Sequence, residues 1–236
     1  MAIQQPTSSN TLNNPDHSLS HRVIANDGSA PVKKIVVEAD GTSKIGDSVG
    51  GNSTIIKPNG EINLEGTARV KKQIYLDNAN LGKGGTAPDQ IIDGGCTAWE
   101  FDIGDDSVLV TELPKDWAES TDLTIKICWY IDEEYSSDKE VQWRTSWIAI
   151  GHDGTEQVGS PEHSGQVDSG DINIHAVANT MLLSSICTIS SSNLSVGDML
   201  GLTISRIDVT HDDPTNDPRV HHVLVEYTAD KLGKAT

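Results

Sequence analysis

Period-two alternation of apolar and polar residues in two long segments constrains the fold of this chain most. Between residues 123 and 131, every odd-numbered residue is a large aliphatic side chain or a tryptophan. Residues 141–149 repeat the pattern, with Val141, Trp143 and Trp147 on one face. A period of two predicts β-strands that bury one face. Because no long stretch with the helical period of 3.6 competes, we expect an all-β fold.

Six further segments after residue 95 have the composition of strands. They are residues 96–103, 107–112, 171–177, 182–190, 199–206 and 222–228. With the two alternating segments they make eight strands joined by polar connections, the number found in a jelly roll. The predicted fold is therefore an extended N-terminal arm with β-hairpins, followed by an eight-stranded antiparallel jelly-roll β-sandwich.

Aromatic residues and charge divide the chain near residue 95. Of its five Trp, four Tyr and one Phe, only Tyr75 precedes residue 96. Residues 1–95 carry nine Lys/Arg and ten Asp/Glu, whereas residues 96–236 carry eight and 25, a net charge of −17. Ordering a residue costs roughly 1–2 kcal/mol, and the first segment has little apolar area to offset that cost. We therefore predict an anchoring and oligomerising arm at 1–95 and a jelly-roll domain at 96–236.

The overall charge excludes several classes of partner. A net charge of −18 disfavours nucleic acid, which needs clustered cations, and anionic membrane surfaces, which attract basic segments. No run of 18 apolar residues is present, so no membrane span is predicted, and the first ten residues do not resemble a secretory signal. Three widely spaced cysteines, Cys96, Cys128 and Cys187, favour neither a disulfide framework nor a metal pair.

A short repeat marks the N-terminal segment. Val37-x-x-Asp40-Gly41 leads to Ile45, and nineteen residues later Ile56-x-x-Asn59-Gly60 leads to Leu64. The two copies indicate either two unrelated hairpins or a set of strands completed by neighbouring chains; a third copy at 75–78 is weaker. Glycines at 82–85 and 94–95 are expected to flank a linker. The predicted capsid and oligomer contacts of the arm are Val23, Ile24, Ile35, Val37, Ile55, Ile56, Ile62, Leu64 and Tyr75.

The acidic and histidine-rich segment 209–222 is the strongest candidate for a metal site. Its oxygen ligands suit Ca²⁺, but the loop pattern of a calcium site is missing and two prolines indicate a solvated loop. Adjacent His221 and His222 are expected on opposite faces of a strand, which disfavours zinc. We predict no metal and no cofactor, and whether the loop holds Ca²⁺ stays open.

No catalytic pattern stands out, and we predict that the chain is not an enzyme. The segments 151–154 and 161–164 contain His, Asp and Ser but no nucleophile elbow. Asp105 and Asp106 are adjacent carboxylates in a predicted turn, without the cleft that a glycosidase pair needs. A ligand surface, if present, is predicted at the rings of Trp99, Trp117, Tyr130 and Tyr135.

The order of these parts resembles that of virion structural proteins of tailed bacteriophages. Residues 14–32 and 35–41 are similar to the start of phage fibre and head-surface proteins. Residues 197–208 (GDMLGLTISRID) and 222–233 (HVLVEYTADKLG) resemble their terminal jelly-roll domains. The resemblance implies an arm that attaches to the particle and an outward sandwich, often in a homotrimer, and it implies no catalytic residue.

Two functions follow from this resemblance. The first is a capsid cement or decoration protein, made in the host cytoplasm and placed on the exterior of the phage head, whose partners are the major capsid protein and copies of itself. The alternative is a tail-fibre or receptor-binding protein whose jelly roll binds host-surface carbohydrate. Neither nucleic acid nor a membrane is an expected partner, and a glycoside-active enzyme is the least favoured reading.

Overall fold

The computed structural model describes residues 23–24, 34–38, 40–46, 52–77, 81–134, 139–209 and 212–232. The described chain is all-β and antiparallel, as predicted. It forms two compact units: the described residues up to Arg69 together with Lys231 and Leu232, and residues Val70–Asp230. No helix within the described ranges is both long and apolar enough to cross a membrane.

The first unit is a single antiparallel sheet of six strands. Its strands are β1 (Val23–Ile24), β2 (Lys34–Val37), β3 (Ser43–Gly46), β4 (Ser53–Ile56), β5 (Ile62–Glu65) and β17 (Lys231–Leu232). The first five follow chain order, and β17 returns from the far end of the sequence to pair with β5. A 3₁₀ turn at Gly66–Ala68 follows β5.

The two sequence repeats form the same hairpin turn. Oδ1 of Asp40 accepts from the N–H of Thr42 at 2.9 Å, and Oδ1 of Asn59 accepts from the N–H of Glu61 at 3.1 Å. Each side chain precedes a glycine in the left-handed region, where φ is 89° at Gly41 and 82° at Gly60. Asx side chains and glycines make such turns because both tolerate the required backbone. The repeat is therefore structural, with matching hydrogen bonds in both copies.

The second unit is a β-sandwich, in agreement with the predicted jelly roll. Its strands are β6 (Val70–Asp77), β7 (Gly82–Lys83), β8 (Asp89–Asp93), β9 (Cys96–Glu100), β10 (Asp106–Glu112), β11 (Leu123–Tyr130), β12 (Glu140–Ile150), β13 (His163–Asn173), β14 (Leu182–Ile189), β15 (Met199–Ile207) and β16 (Arg219–Ala229). One sheet has the order β13-β12-β15-β10-β7. The other has β14-β11-β16-β9-β8, with β6 also paired to β16.

Tryptophans fill the centre of the sandwich. Trp129 and Trp143 are fully buried and meet edge to face, with ring centroids 6.1 Å apart, and Phe101 packs on Trp143 at 5.4 Å. These geometries are the favoured ones for aromatic pairs. The alternating residues of β11 and β12 thus form the core as expected, so the aromatic residues after residue 95 supply the buried area that the first unit lacks.

The boundary between the compact units differs from the division predicted after residue 95. β6, β7 and β8 all pair with strands of the sandwich. Of the glycines expected in a linker, Gly82 begins β7 and Gly84 and Gly85 follow that strand. Gly94 and Gly95 form the β8–β9 turn, with φ values of 55° and 86°. The sandwich therefore begins at Val70.

One of the eight predicted strands lies elsewhere in the sequence. Residues 171–177 were expected to be a strand, but β13 spans His163–Asn173. Among the described strands this edge strand pairs only with β12, and it has almost no apolar alternation. Its inward position Gly165 lies so close to Trp147 that a Cβ there would be 2.7 Å from Cζ2. Because Trp147 fills the core space beneath β13, that strand needs few apolar residues of its own. Its sequence therefore lacks the alternation that would have revealed it.

Candidate functional site

One face of the N-terminal sheet is apolar. In an antiparallel sheet, residues directly opposite each other lie on the same face. Ser43, Ile56, Ile62 and Leu232 form one such row, and Ile45, Thr54 and Leu64 form the next. We define the apolar face by its described aliphatic members: Val37, Ile45, Ile56, Ile62, Leu64 and Leu232. None of the described side chains in these rows is charged.

Part of the apolar face is open to solvent. Ile45, Ile56 and Leu232 are 45%, 37% and 40% exposed, whereas Leu64 is buried. A sheet with one apolar side normally buries that side against a second layer. Covering these side chains would stabilise the sheet by about 25 cal/mol for each Å² of apolar area removed from water. The face therefore has the character of an interface.

The opposite face carries charges that are already paired. Lys44 Nζ lies 3.0 Å from Glu65 Oε2, and the buried Ser53 hydroxyl donates to the same carboxylate. These hydrogen bonds, that of Ser53 first and that of Lys44 second, lower the pKa of Glu65 below its usual value. The two faces of the sheet thus differ: the paired charges lie on one, and the apolar surface on the other.

The residues predicted as arm contacts lie in three places: on the apolar face of the N-terminal sheet, on its opposite face, and in the sandwich. Four of them belong to the apolar face: Val37, Ile56, Ile62 and Leu64. Ile55 is on the opposite face, across from Lys44 and Asn63. Val23, Ile24 and Ile35 are placed only by register, since Val23 pairs with Ile35 and Ile35 with Ile45. Tyr75 is on β6 in the sandwich. Ile45 and Leu232 were missed because β3 and β17 are short and flanked by polar residues.

The rings predicted as a ligand surface are mostly buried. Trp117 is completely buried and its Nε1–H donates to the carbonyl of Thr121 at 3.0 Å, so it cannot present a ring to a ligand. Tyr130 is also buried, and its hydroxyl donates to Asp93 at 3.3 Å. Trp99 is half-buried against the core, and Tyr135 lies outside the described residues. The three described rings do not form a common exposed surface.

A β-bulge brings His221 and His222 together, which corrects the expectation that they lie on opposite faces. Cys128 pairs with His222 and Trp129 pairs with Val220, so His221 is an extra residue on β16. A bulge re-aims the side chain that it inserts. The two Nδ1 atoms are consequently 3.0 Å apart. Alternation alone cannot reveal such an insertion.

Two acidic side chains within segment 209–222 bind a buried arginine. Arg206 is 1% exposed; its Nη2 donates to both carboxylate oxygens of Asp213 at 2.9 and 3.0 Å, and its Nη1 donates to Asp217 and to the carbonyl of Phe101. His211 lies outside the described residues. The described part of the chain contains no group of three His, Cys, Asp or Glu arranged to hold a metal ion.

The adjacent carboxylates at the start of β10 have separate backbone partners. The Asp105 carboxylate accepts from the N–H of Asp102 at 2.8 Å. The Asp106 carboxylate accepts from the N–H groups of Gly85 at 2.9 Å and Thr86 at 2.7 Å. In segment 151–154, Asp153 accepts from the N–H and the hydroxyl of Thr155. Each of these carboxylates has a local structural role.

Comparisons with known proteins assign no family to the chain. No protein-family model matches it, and no curated protein matches its sequence. Among solved structures, the CBM36-1 domain of a multidomain xylanase from the hindgut metagenome of Trinervitermes trinervoides is 13% identical, with a TM-score of 0.33, covering 65% of this chain and 96% of that one. A xylan-binding module, CBM15, is 13% identical with a TM-score of 0.37, covering 67% and 97%.

A viral structure is also similar. That of the infectious bursal disease virus Gx strain is 13% identical, with a TM-score of 0.36, and the match covers 84% of this chain and 44% of that chain. All three TM-scores are below 0.5, so these similarities decide no question of function.

Proposed function

We propose that this chain is a non-enzymatic virion structural protein, a cement or decoration protein that binds the outer surface of a phage head. In this proposal the N-terminal sheet attaches the protein to the shell and to its own copies, and the sandwich projects outward. The observation that carries it is the apolar face of a single-layer sheet, with Ile45, Ile56 and Leu232 exposed. The resemblance of the sequence to phage virion proteins supplies the biological setting.

Copies of the same chain are the partners that best fit the apolar face. The described side chains of that face carry no charge, so it is complementary to itself, whereas the charges of the opposite face are paired within the sheet. Closed rotational symmetry is the usual arrangement of identical subunits. We propose a homotrimer in which three such faces meet, as the resemblance implies.

The charge distribution supports an external position. Residues 96–236 have a net charge of −17, which opposes contact with packaged DNA and favours solubility. A protein that binds only the assembled lattice stabilises it by mass action. Three attachment segments on one trimer would add avidity.

A matched pair of substitutions tests the role of the apolar face. Ile56 and Ile55 are neighbours on β4 but lie on opposite faces, and Ile55 is directly opposite Lys44. Ile56→Glu places a charge in the proposed interface and should convert trimers to monomers and weaken particle binding about tenfold or more, since burying an unpaired charge is costly. Ile55→Glu places the same charge beside a lysine and should leave both properties nearly unchanged.

The measurements are sedimentation equilibrium for the oligomeric state and co-sedimentation with particles that lack the protein. Far-ultraviolet circular dichroism verifies that both variants fold. Equal assembly and equal particle binding by the two variants would show that the apolar face is not the interface.

The receptor-binding alternative differs in copy number. A cement protein is present in hundreds of copies in each particle, and a fibre in a handful, so quantitative mass spectrometry of purified virions separates the two. The rings first predicted for carbohydrate binding do not favour the alternative, because Trp117 and Tyr130 are buried.

A further inference from the structure

Three rings lie in a row on the outer surface of the sandwich. The centroids of His221 and His222 are 5.3 Å apart, and those of His222 and Tyr75 are 4.4 Å apart with a tilt of 37°. We call His221, His222 and Tyr75 the ring row. The bulge in β16 brings His221 into it, and bulges are retained features that commonly re-aim side chains at functional sites.

Tyr75 is a partly exposed ring on the outer face of its sheet. It lies directly opposite Leu224, which is only 6% exposed although it is on the outer face of the sheet, while Tyr75 itself is 52% exposed. The ring of Tyr75 also contacts that of His222, at a tilt of 37°. Burial, with the neighbouring His221 as a second cause, lowers the pKa of His222, so this support is uncharged at pH 7. Tyr75 therefore presents part of an aromatic ring to solvent beside His222.

Polar side chains border the ring row on both sides. On one side, Glu226 accepts from Lys126 at 2.8 Å and from Gln73 at 3.4 Å. On the other side, Asp77 is directly opposite His222. The carboxylate, ammonium and amide groups can donate to or accept from hydroxyl groups of a ligand, and hydrogen bonds to charged groups are the stronger ones.

We propose that the ring row is a binding site for a neutral oligosaccharide, with the apolar face of a pyranose ring stacked on Tyr75. A sugar has one face of C–H groups and a rim of hydroxyls, which matches an exposed ring bordered by hydrogen-bonding side chains. The net charge of −17 on residues 96–236 disfavours anionic glycans and nucleic acid. The inference does not depend on shell attachment, since it uses different residues in a different compact unit.

Titration of the full chain tests the site. The probes are cellohexaose, xylohexaose and maltohexaose as neutral glycans and a hexamer of galacturonic acid as an anionic one, each followed by NMR of the histidine ring protons. At least one neutral probe should saturate and shift the His222 signal. Tyr75→Ala should weaken that binding about tenfold or more, and Tyr75→Phe, which keeps the stacking surface, should retain it.

Val110→Ala is the control, because Val110 is an exposed apolar residue on the other sheet and should not affect binding. The proposal is wrong if no neutral probe binds up to about 10 mM, if only the anionic probe binds, or if Tyr75→Ala binds as well as the unmodified chain. None of these outcomes bears on shell attachment, which the Ile56 and Ile55 variants test separately.

Discussion

Arg206 ties a loop to the core of the sandwich. Its guanidinium is almost completely buried and joins Asp213 and Asp217, on the connection before β16, to the carbonyl of Phe101 after β9. A buried cation is tolerated when carboxylates and hydrogen bonds neutralise it. The sequence shows an excess of acids in this segment, but not that an arginine of the preceding strand binds two of them.

Arg206→Met should destabilise the protein by about 2–4 kcal/mol, since it leaves two carboxylates without their partner. Arg144→Met is the matched control, because Arg144 makes a similar pair with Asp168 on the surface. Exposed pairs contribute about 0–1 kcal/mol, and this variant should change little. Urea unfolding measures both. Equal losses would mean that burial does not set the importance of the Arg206 contacts.

Asp102 makes the same region sensitive to pH. A hydrogen bond to Asp217, together with the negative charge of that residue, raises the pKa of Asp102 to about 6 from an ordinary value of 3.8. Between pH 4 and 6, Asp102 is therefore protonated in the folded chain but mostly ionised in the unfolded chain. The free energy of unfolding falls as pH rises through that window.

Asp102→Asn removes this titration and should be the more stable protein at pH 7.5, by about 1 kcal/mol after allowance for solvent screening. As the pH falls below 4, Asp102 becomes largely protonated in the unfolded chain as well, so the difference should become small. Urea unfolding at pH 3.5 and 7.5 measures it. A difference that stays constant across this range would show that the ionisation of Asp102 is not responsible.

The backbone at two neighbouring glycines, Gly84 and Gly85, lies against Asp106 at the start of β10. A Cβ on Gly84 would lie 1.9 Å from Oδ2 of Asp106, whereas a Cβ on Gly85 would have its nearest neighbour at 3.6 Å. The carboxylate of Asp106 accepts from the N–H groups of Gly85 and Thr86, so its position controls the pairing of these two segments. The close approach explains a glycine at position 84.

Gly84→Ala should cost about 2–3 kcal/mol, because it displaces Asp106 and its hydrogen bonds. Gly85→Ala should cost less than about 1 kcal/mol. Thermal unfolding of the two variants is the measurement. Equal melting temperatures for the two variants would show that the contact with Asp106 does not explain the glycine at position 84.

Sequence pattern predicts elements well where one face is buried and poorly elsewhere. β11 and β12 alternate because each buries one side in the sandwich core, and their ends lie within one or two residues of the expected positions. β13 is an edge strand whose core space is filled by Trp147, and β7 has only two residues. The bulge at His221 inserts one residue and reverses the faces that alternation predicts. The ring row follows from that insertion and was not predictable.

At the scale of the whole molecule, the sandwich should be separable at the boundary observed in the structure. Residues 70–230 retain β6, which covers one edge of β16 and contributes the buried Leu76. Residues 96–236 lack β6, β7 and β8. The first fragment should unfold cooperatively, and the second should aggregate or melt at a lower temperature because a long edge and part of the core are exposed. Calorimetry compares them, and equal melting would favour the boundary at residue 95.

The pairing of β17 with β5 affects the order of events during synthesis. The sheet of the first unit takes its last strand from residues 231–232, so the ribosome must translate all of the intervening sandwich before that strand can dock. Domains generally fold as they emerge. Until residues 231–232 are made, the edge of β5 that they cover has no partner strand. An unpaired strand edge can pair with another chain, so neighbouring nascent chains are open to association until translation reaches β17.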